Sequence, residues 1–227
     1  MATMALNVVG AIAGVVGIGM MIPGLIPDKD KHEPIVRIAA GLTSNTEDTT
    51  SGNTPGVTLY DIMGRMIGST EGKADIIKDG AFTDIKVPFN EGVGTKPAEY
   101  IAVTDGGNVA LCIAYISLTN PDGGKHVWYG DIGKACGHPW YHSMLKTGKI
   151  GASEKEGYDY QPACVWIDRD RSNGLPYQGL GIHLYDFEAT EERAKMYTDN
   201  KDQMCRVASR YRMASTYPSF FGFLTWY

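Results

Sequence analysis

An uninterrupted apolar run opens the chain, and segments that alternate between apolar and polar residues follow it. Residues 5–26 (ALNVVGAIAGVVGIGMMIPGLI) carry no charged side chain, whereas residues 28–34 are mostly charged or polar. A helix built from the first run would be apolar on every side. We therefore expect a hydrophobic N-terminal helix over 1–27, a polar linker over 28–34, and a β-sandwich domain over 35–227 with a C-terminal helix and an aromatic tail.

Alternation and turn residues mark the strands of that domain. Residues 35–42 predict a first strand, and apolar and polar residues alternate in residues 57–68 and 82–89. Gly, Asp, Asn and Pro cluster at residues 105–108, 120–124 and 172–174, where they predict hairpin turns. Antiparallel strands at these intervals are typical of a sandwich, so the predicted fold is mainly β.

The C-terminal part predicts a different structure. Residues 190–215 have the composition of one or two helices, with Thr190 as the N-cap and Glu191 and Glu192 in the first turn. Residues 217–227 (YPSFFGFLTWY) are rich in aromatic side chains. They form either the last strand of the sandwich or an anchor at a membrane or subunit interface.

Three interpretations of the apolar run compete. A cleavable signal peptide would begin with basic residues, and none precede Asp28. A transmembrane helix needs about 20 apolar residues, but Pro23 and Gly24 would break it near its end. The third interpretation is a helix covered by neighbouring copies of the protein.

Small residues favour close packing of that predicted helix. Gly10 and Gly14 have the spacing of a GxxxG motif, and Gly17 extends the ridge. A helix that is apolar all round has to be covered all round, and one domain of this size is too small to do so. The residues predicted to mediate assembly or membrane insertion are Val8, Val9, Gly10, Ile12, Gly14, Val15, Gly17, Ile18, Met21 and Ile22.

Composition limits the classes of partner and compartment. The chain has 227 residues and a net charge of −5, without a basic cluster, so nucleic-acid binding is not expected. The four cysteines are widely spaced and permit either two disulfides or buried free thiols. The candidates for disulfides are Cys112, Cys136, Cys164 and Cys205. An extracellular or membrane-associated location is expected.

Two short segments offer candidate metal chemistry. His138 and His142 would share one face of a helix, although Pro139 lies between them. Asp168, Asp170 and Ser172 have the first spacings of a calcium loop, but the later ligand positions hold other residues. A disulfide in an aromatic loop and a hairpin turn, respectively, explain the same residues without a metal, and no cofactor is expected.

The order of elements resembles that of the actinoporin-like pore-forming toxins over about residues 1–187. The similar segments are VRIAAGL (36–42), AVTDGGNVALCIAYIS (102–117), HVWYGD (126–131) and NGLPYQGLGIHLYDF (173–187). The resemblance implies a β-sandwich that docks on a membrane and releases its N-terminal helix to line an oligomeric pore. That helix is amphipathic in the family, whereas residues 5–26 here are uncharged.

Three functions follow from these patterns. The first is a non-enzymatic structural protein that self-assembles into a homo-oligomer or filament through its N-terminal segment. The alternative is an actinoporin-like protein that inserts the same segment into a lipid membrane. The third is a secreted hydrolase or metal protein that uses His138 and His142.

Overall fold

Antiparallel strands dominate the computed structural model, which describes residues 6–12, 15–21, 23–45, 49–150, 158–188, 190–207 and 210–216. The strands are β1 (Leu6–Ile12), β2 (Val15–Met21), β3 (Ile35–Ala40), β4 (Gly52–Thr54), β5 (Gly56–Tyr60), β6 (Met66–Thr70), β7 (Lys73–Ile77), β8 (Phe82–Lys86), β9 (Tyr100–Thr104), β10 (Leu111–Thr119), β11 (Lys125–Tyr129), β12 (Trp140–Tyr141), β13 (Gly148–Ile150), β14 (Tyr158–Tyr160), β15 (Cys164–Ile167), β16 (Gly179–His183) and β17 (Tyr211–Ala214). The helices are α1 (Asp131–Ala135), α2 (Glu191–Asp199) and α3 (Asp202–Cys205), with 3-10 turns at Pro23–Leu25 and Leu184–Phe187. The prediction of a mainly β, antiparallel fold is confirmed.

Most described strands belong to two large sheets. The central sheet has the order β12-β15-β10-β3-β8, with β11 paired to the second half of β10. The distal sheet has the order β17-β16-β9-β5-β6. A smaller N-terminal sheet has the order β1-β2-β13-β14, and β4 pairs with β7.

One hydrophobic core receives side chains from both large sheets. Ile38 and Ile116 come from the central sheet, and Leu59, Val103 and Leu180 come from the distal sheet, all without exposed surface. Full burial of an aliphatic side chain of this size contributes about 1.5–3 kcal/mol. The alternation seen in the sequence therefore directs one face of each large sheet into a shared interior.

The N-terminal segment is the main departure from the predicted fold. Residues 6–12 and 15–21 form the paired strands β1 and β2, so the prediction of a helix over 1–27 is wrong for these residues. The segment is rich in Val and Ile, which favour strands, and in Gly, which lowers helix propensity. The apolar run alone did not distinguish the two structures.

Only one of the three predicted hairpin turns joins paired neighbours. Asn120–Gly124 connects β10 to β11, with the Asn120 amide donating to the Gly124 carbonyl at 2.8 Å and Gly123 at a φ of +99°. The turns at 105–108 and 172–174 instead carry the chain between the central and distal sheets. For those two turns, the hairpin prediction is wrong.

The C-terminal part contains the predicted helical segment in a shorter form. Thr190 caps α2, and its hydroxyl accepts a hydrogen bond from the Arg193 amide at 3.1 Å. The short helix α3 follows, and β17 then joins the edge of the distal sheet. The predicted helix beyond residue 205 is therefore replaced in part by a strand. The aromatic tail, residues 217–227, lies outside the described residues.

Candidate functional site

The residues predicted to mediate assembly lie together in the β1–β2 hairpin. Strand β1 contains Val8, Val9, Gly10 and Ile12. Strand β2 contains Val15, Gly17, Ile18 and Met21. The strands pair along their whole length, from Leu6 opposite Met21 to Ile12 opposite Val15, with Gly10 opposite Gly17. Gly14 and Ile22 lie outside the described residues. The glycine ridge expected on a helix is thus a cross-strand glycine pair.

Strand β1 lies at the edge of the N-terminal sheet. Within the described part of the chain, it pairs only with β2, whereas β2 also pairs with β13. Its sequence, LNVVGAI, contains no charged residue and no proline. Soluble proteins commonly protect sheet edges with charges, prolines or bulges, because an unprotected edge pairs with other chains. Strand β1 carries none of these sequence safeguards.

The hairpin is attached to the rest of the molecule through the segment that follows it. Arg37, on β3, donates from Nη1 to the carbonyl oxygen of Gly24 at 2.8 Å and forms two hydrogen bonds to Asp84 at 2.6 and 2.8 Å. Thr119 donates its hydroxyl hydrogen to the Pro27 carbonyl at 2.8 Å. In the linker, Asp30 pairs with Lys86 at 2.7 Å. The chain is therefore fixed immediately after the hairpin.

A second hydrophobic cluster lies on the face of the central sheet that points away from the main core. It contains Ile26, Tyr115, Tyr129 and Tyr160, with Leu25 packed against it. Strand β1 approaches β11 and α1 beside this cluster, and β2 approaches α2. Part of the N-terminal sheet therefore lies against its own molecule.

Polar groups are buried inside this second cluster. Tyr160 donates its phenolic hydrogen to Asp131, and both residues are almost fully buried. Burial, together with the charge of Asp131, raises the pKa of Tyr160 well above its ordinary value. Burial also raises the pKa of Tyr115 to about 12, against the lowering effect of Arg37. Both phenols are therefore neutral near pH 7, where Tyr160 acts as a hydrogen-bond donor and both rings supply packing surface.

The predicted metal ligands do not form a metal site in the structure. Among the described residues, no group of three or more His, Cys, Asp or Glu side chains is arranged to hold a metal ion. His138 and His142 flank the short strand β12, not one face of a helix, because α1 ends at Ala135. The ring of His138 packs edge-on against Tyr177 and Tyr211, and burial lowers its pKa.

Asp168 and Asp170 support the turn between β15 and β16. Asp168 accepts hydrogen bonds from the Asn173 amide at 3.0 Å and from its side chain at 3.3 Å, while Asp170 accepts one from the Ser172 amide at 3.0 Å. The Asp170–Ser172 bond is typical of an Asx turn, and the bonds from Asn173 to Asp168 close the loop around it. The calcium spacing seen in the sequence is therefore explained by turn formation.

All four cysteines form disulfides. Cys112 bonds to Cys164 across β10 and β15, and Cys136 bonds to Cys205, joining the end of α1 to the end of α3. The two disulfides predicted as one alternative from the sequence are confirmed. They are compatible with an extracellular location, where oxidising conditions preserve such bonds.

A histidine and carboxylate cluster at one end of the sheets was not anticipated from the sequence. His183 places Nδ1 2.8 Å from Asp186 and Nε2 3.5 Å from Glu99, and its ring stacks on Tyr100 at 4.2 Å. His126 lies 3.2 Å from Glu188. Because the two nitrogens of His183 face carboxylates from different segments, the ring links the β16 end to the start of β9. The cluster joins residues 183–188 to Glu99 and His126, which are distant in sequence, so no spacing motif marks it.

Comparisons with known proteins identify no relative. No protein-family model matches the chain, and no curated protein matches it at a significant level. Among the residues that the structure describes, no helix combines the length and apolar character required to cross a membrane.

Proposed function

We propose that this chain is a secreted, non-enzymatic β-sandwich protein that self-associates through strand β1. The common core of the central and distal sheets supports the sandwich, and the two disulfides support secretion. The observation that carries the proposal is the position of an uncharged, proline-free strand at a sheet edge. Such a strand offers backbone donors and acceptors to a second copy.

Pairing of β1 with β1 of another copy gives a closed dimer. Two antiparallel seven-residue strands can form about seven backbone hydrogen bonds, each contributing about 0.5–1.5 kcal/mol net. The resulting contact is isologous, so two-fold symmetry completes it. The other edge of the same sheet is β14, which has only three residues, so head-to-tail β1–β14 pairing would be shorter. We therefore favour a dimer over a filament.

A second candidate function is insertion of the same hairpin into a lipid surface. The uncharged composition of residues 5–26 favours it, as does the resemblance to actinoporin-like toxins. An amphipathic segment is needed to line an aqueous pore, and this segment lacks the polar stripe. Lipid binding without a pore is the form of this function that the composition supports.

One experiment distinguishes self-association from lipid binding: it compares the full-length chain with a chain that lacks residues 1–22. This truncation keeps Ile26 and the Gly24 carbonyl, which belong to the described packing and hydrogen bonds. Self-association through β1 predicts a dimer for the full chain and a folded monomer for the truncated chain, without lipid. A truncated chain that remains a dimer contradicts the proposal. Lipid binding is supported instead if the full-length chain is a monomer and floats with vesicles in a flotation assay, while the truncated chain does not float.

A further inference from the structure

An open cleft of about 450 Å³ lies between three segments that are distant in sequence. Its walls come from the segment before β4, the loop between β9 and β10, and strand β15 with the connection that follows it. The side chains that matter for binding are those of Thr49, Ser51, Asn108, Val109, Trp166 and Asn173. The volume is within the range of pockets that bind small molecules.

The chemistry of the lining selects a class of ligand. The residues that line the cleft are all uncharged, so a charged ligand would lose its hydration without gaining a counter-charge there. The hydroxyls of Thr49 and Ser51 already bond to each other at 2.7 Å. A purely apolar ligand would instead cover the side-chain amide of Asn108 and the carbonyl oxygen of Asn173 without giving them a hydrogen bond. The half-buried indole of Trp166 offers an apolar flat surface beside those groups. A ligand with both a flat apolar face and many hydroxyls meets all three requirements.

Hydrogen bonds behind the cleft fix its walls in place. Asn173 is held by the fully buried Asp168, through its backbone amide at 3.0 Å and its side-chain amide at 3.3 Å. The same side-chain amide also donates to the Ser172 hydroxyl at 3.3 Å, which leaves the carbonyl oxygen of Asn173 to face a ligand. Asn53 accepts a hydrogen bond from the Val109 amide at 2.8 Å and donates to the Ala74 carbonyl at 2.9 Å.

The backbone of Trp166 is also fixed by hydrogen bonds and by strand pairing. Its backbone amide donates to the Pro139 carbonyl at 3.0 Å, and it pairs across the sheet with Cys112, which is disulfide-bonded to Cys164. A platform that is already ordered binds a ligand with a smaller loss of conformational entropy. The cleft is therefore preorganised for binding.

We propose that this cleft binds a neutral saccharide. The indole of Trp166 stacks on the C–H face of one pyranose ring, and the amides of Asn108 and Asn173 form hydrogen bonds with its hydroxyls. The proposal concerns binding alone and is independent of self-association through β1, because the cleft residues lie outside the N-terminal sheet.

The test uses the full-length protein and an array of neutral oligosaccharides built on glucose, galactose, mannose, xylose and N-acetylglucosamine, with titration calorimetry on each positive. At least one oligosaccharide is expected to bind with a Kd below about 1 mM. Trp166→Ala should weaken that binding by about tenfold or more. Trp140→Ala is the matched control, because Trp140 is 42% exposed, lies under Lys134 at 3.8 Å and does not line the cleft.

Three results would overturn the proposal. The first is that no array member binds with a Kd below about 1 mM. The others are that Trp166→Ala binds as well as the unchanged protein, or that Trp140→Ala loses as much affinity as Trp166→Ala. If Trp166→Ala does not fold, the exposed Asn108 provides the second variant. Asn108→Ala is expected to weaken binding about threefold or more while the thermal transition is retained. Unchanged affinity in that variant also overturns the proposal.

Discussion

Tyr160 donates a hydrogen bond to Asp131 in a region where both residues are shielded from water. Tyr160 belongs to β14 of the N-terminal sheet, and Asp131 begins α1 beside the central sheet. The bond thus links the N-terminal sheet to the body of the molecule. If the Tyr160 hydroxyl were removed, water could not reach the buried Asp131 carboxylate to replace the lost hydrogen bond. The bond therefore stabilises this particular arrangement of the N-terminal sheet against the body.

Tyr160→Phe is expected to lower the free energy of unfolding by about 1–3 kcal/mol, because it removes the donor to Asp131. Tyr211→Phe is the matched control. Tyr211 is equally buried, but within the described part of the chain its hydroxyl has no hydrogen-bond partner, so its removal should change stability by less than about 1 kcal/mol. Urea denaturation of both variants measures the difference, and equal losses would contradict the assigned role of the Tyr160–Asp131 bond.

Asp105 should make stability depend on pH between about 4 and 7. Burial raises its pKa from 3.8 to about 7, and the charge of Asp168 adds to the rise, against hydrogen bonds from the amides of Arg169 and Gly106. The native state therefore binds more protons than the unfolded state in this window, so this carboxyl lowers stability progressively as the pH rises. Above pH 7 the carboxyl is ionised, and its destabilising effect on the native state is complete.

The effect of Asp105 is measured as the difference in stability between Asp105→Asn and the unchanged protein, because His126 changes stability with pH in the opposite direction. Burial lowers the pKa of His126, so stability is lost as the pH falls below 6.5. Asp105→Asn should gain stability relative to the unchanged protein by up to about 1.4 kcal/mol per pH unit from pH 4 to 7. Urea titrations at several pH values give this difference. A difference that is constant with pH would show that Asp105 does not titrate in this window.

The Cys136–Cys205 disulfide is expected to hold the α2–α3 segment against the sheets. Cys136→Ala with Cys205→Ala should lower the free energy of unfolding by about 2–4 kcal/mol. Amide hydrogen exchange should accelerate in α2 and α3 but not in β10. Cys112→Ala with Cys164→Ala is the comparison, since that bond joins adjacent strands of the central sheet. Equal exchange in α2 and α3 before and after removal of Cys136–Cys205 would contradict this role.

Local patterns in the sequence predicted several elements correctly. Residues 82–86 form strand β8 as predicted, and Thr190 caps α2 as its side-chain chemistry indicates. Asn120–Gly124 forms the predicted hairpin because its turn connects strands that remain in one sheet. In each case the interactions that decide the structure are close in sequence.

The errors arose where distant contacts decide the outcome. The glycine and aspartate residues at 105–108 reverse the chain, but they do not determine whether the next strand joins the same sheet or the opposite one. The apolar run at the N-terminus fits a helix or a strand equally well by hydrophobicity, and pairing of β2 with β13 is a contact across more than a hundred residues. The cleft beside Trp166 and the cluster around His183 likewise combine residues from separate segments, which no motif records.

The most direct test of self-association uses two adjacent proline substitutions in β1. In an antiparallel pair, the amides of successive residues point to opposite edges of the strand, so one of Val8 and Val9 faces β2 and the other faces the free edge. Proline removes that amide hydrogen, and it is tolerated in an edge strand where the lost hydrogen faced outward.

Sedimentation velocity of the full-length protein, Val8→Pro and Val9→Pro measures the outcome, with circular dichroism as the check on folding. The account predicts that the full-length protein is a dimer and that one of the two variants is a monomer with an unchanged thermal transition, while the other is destabilised. A full-length protein that stays monomeric up to about 100 µM, or a dimer that persists in both folded variants, would contradict it.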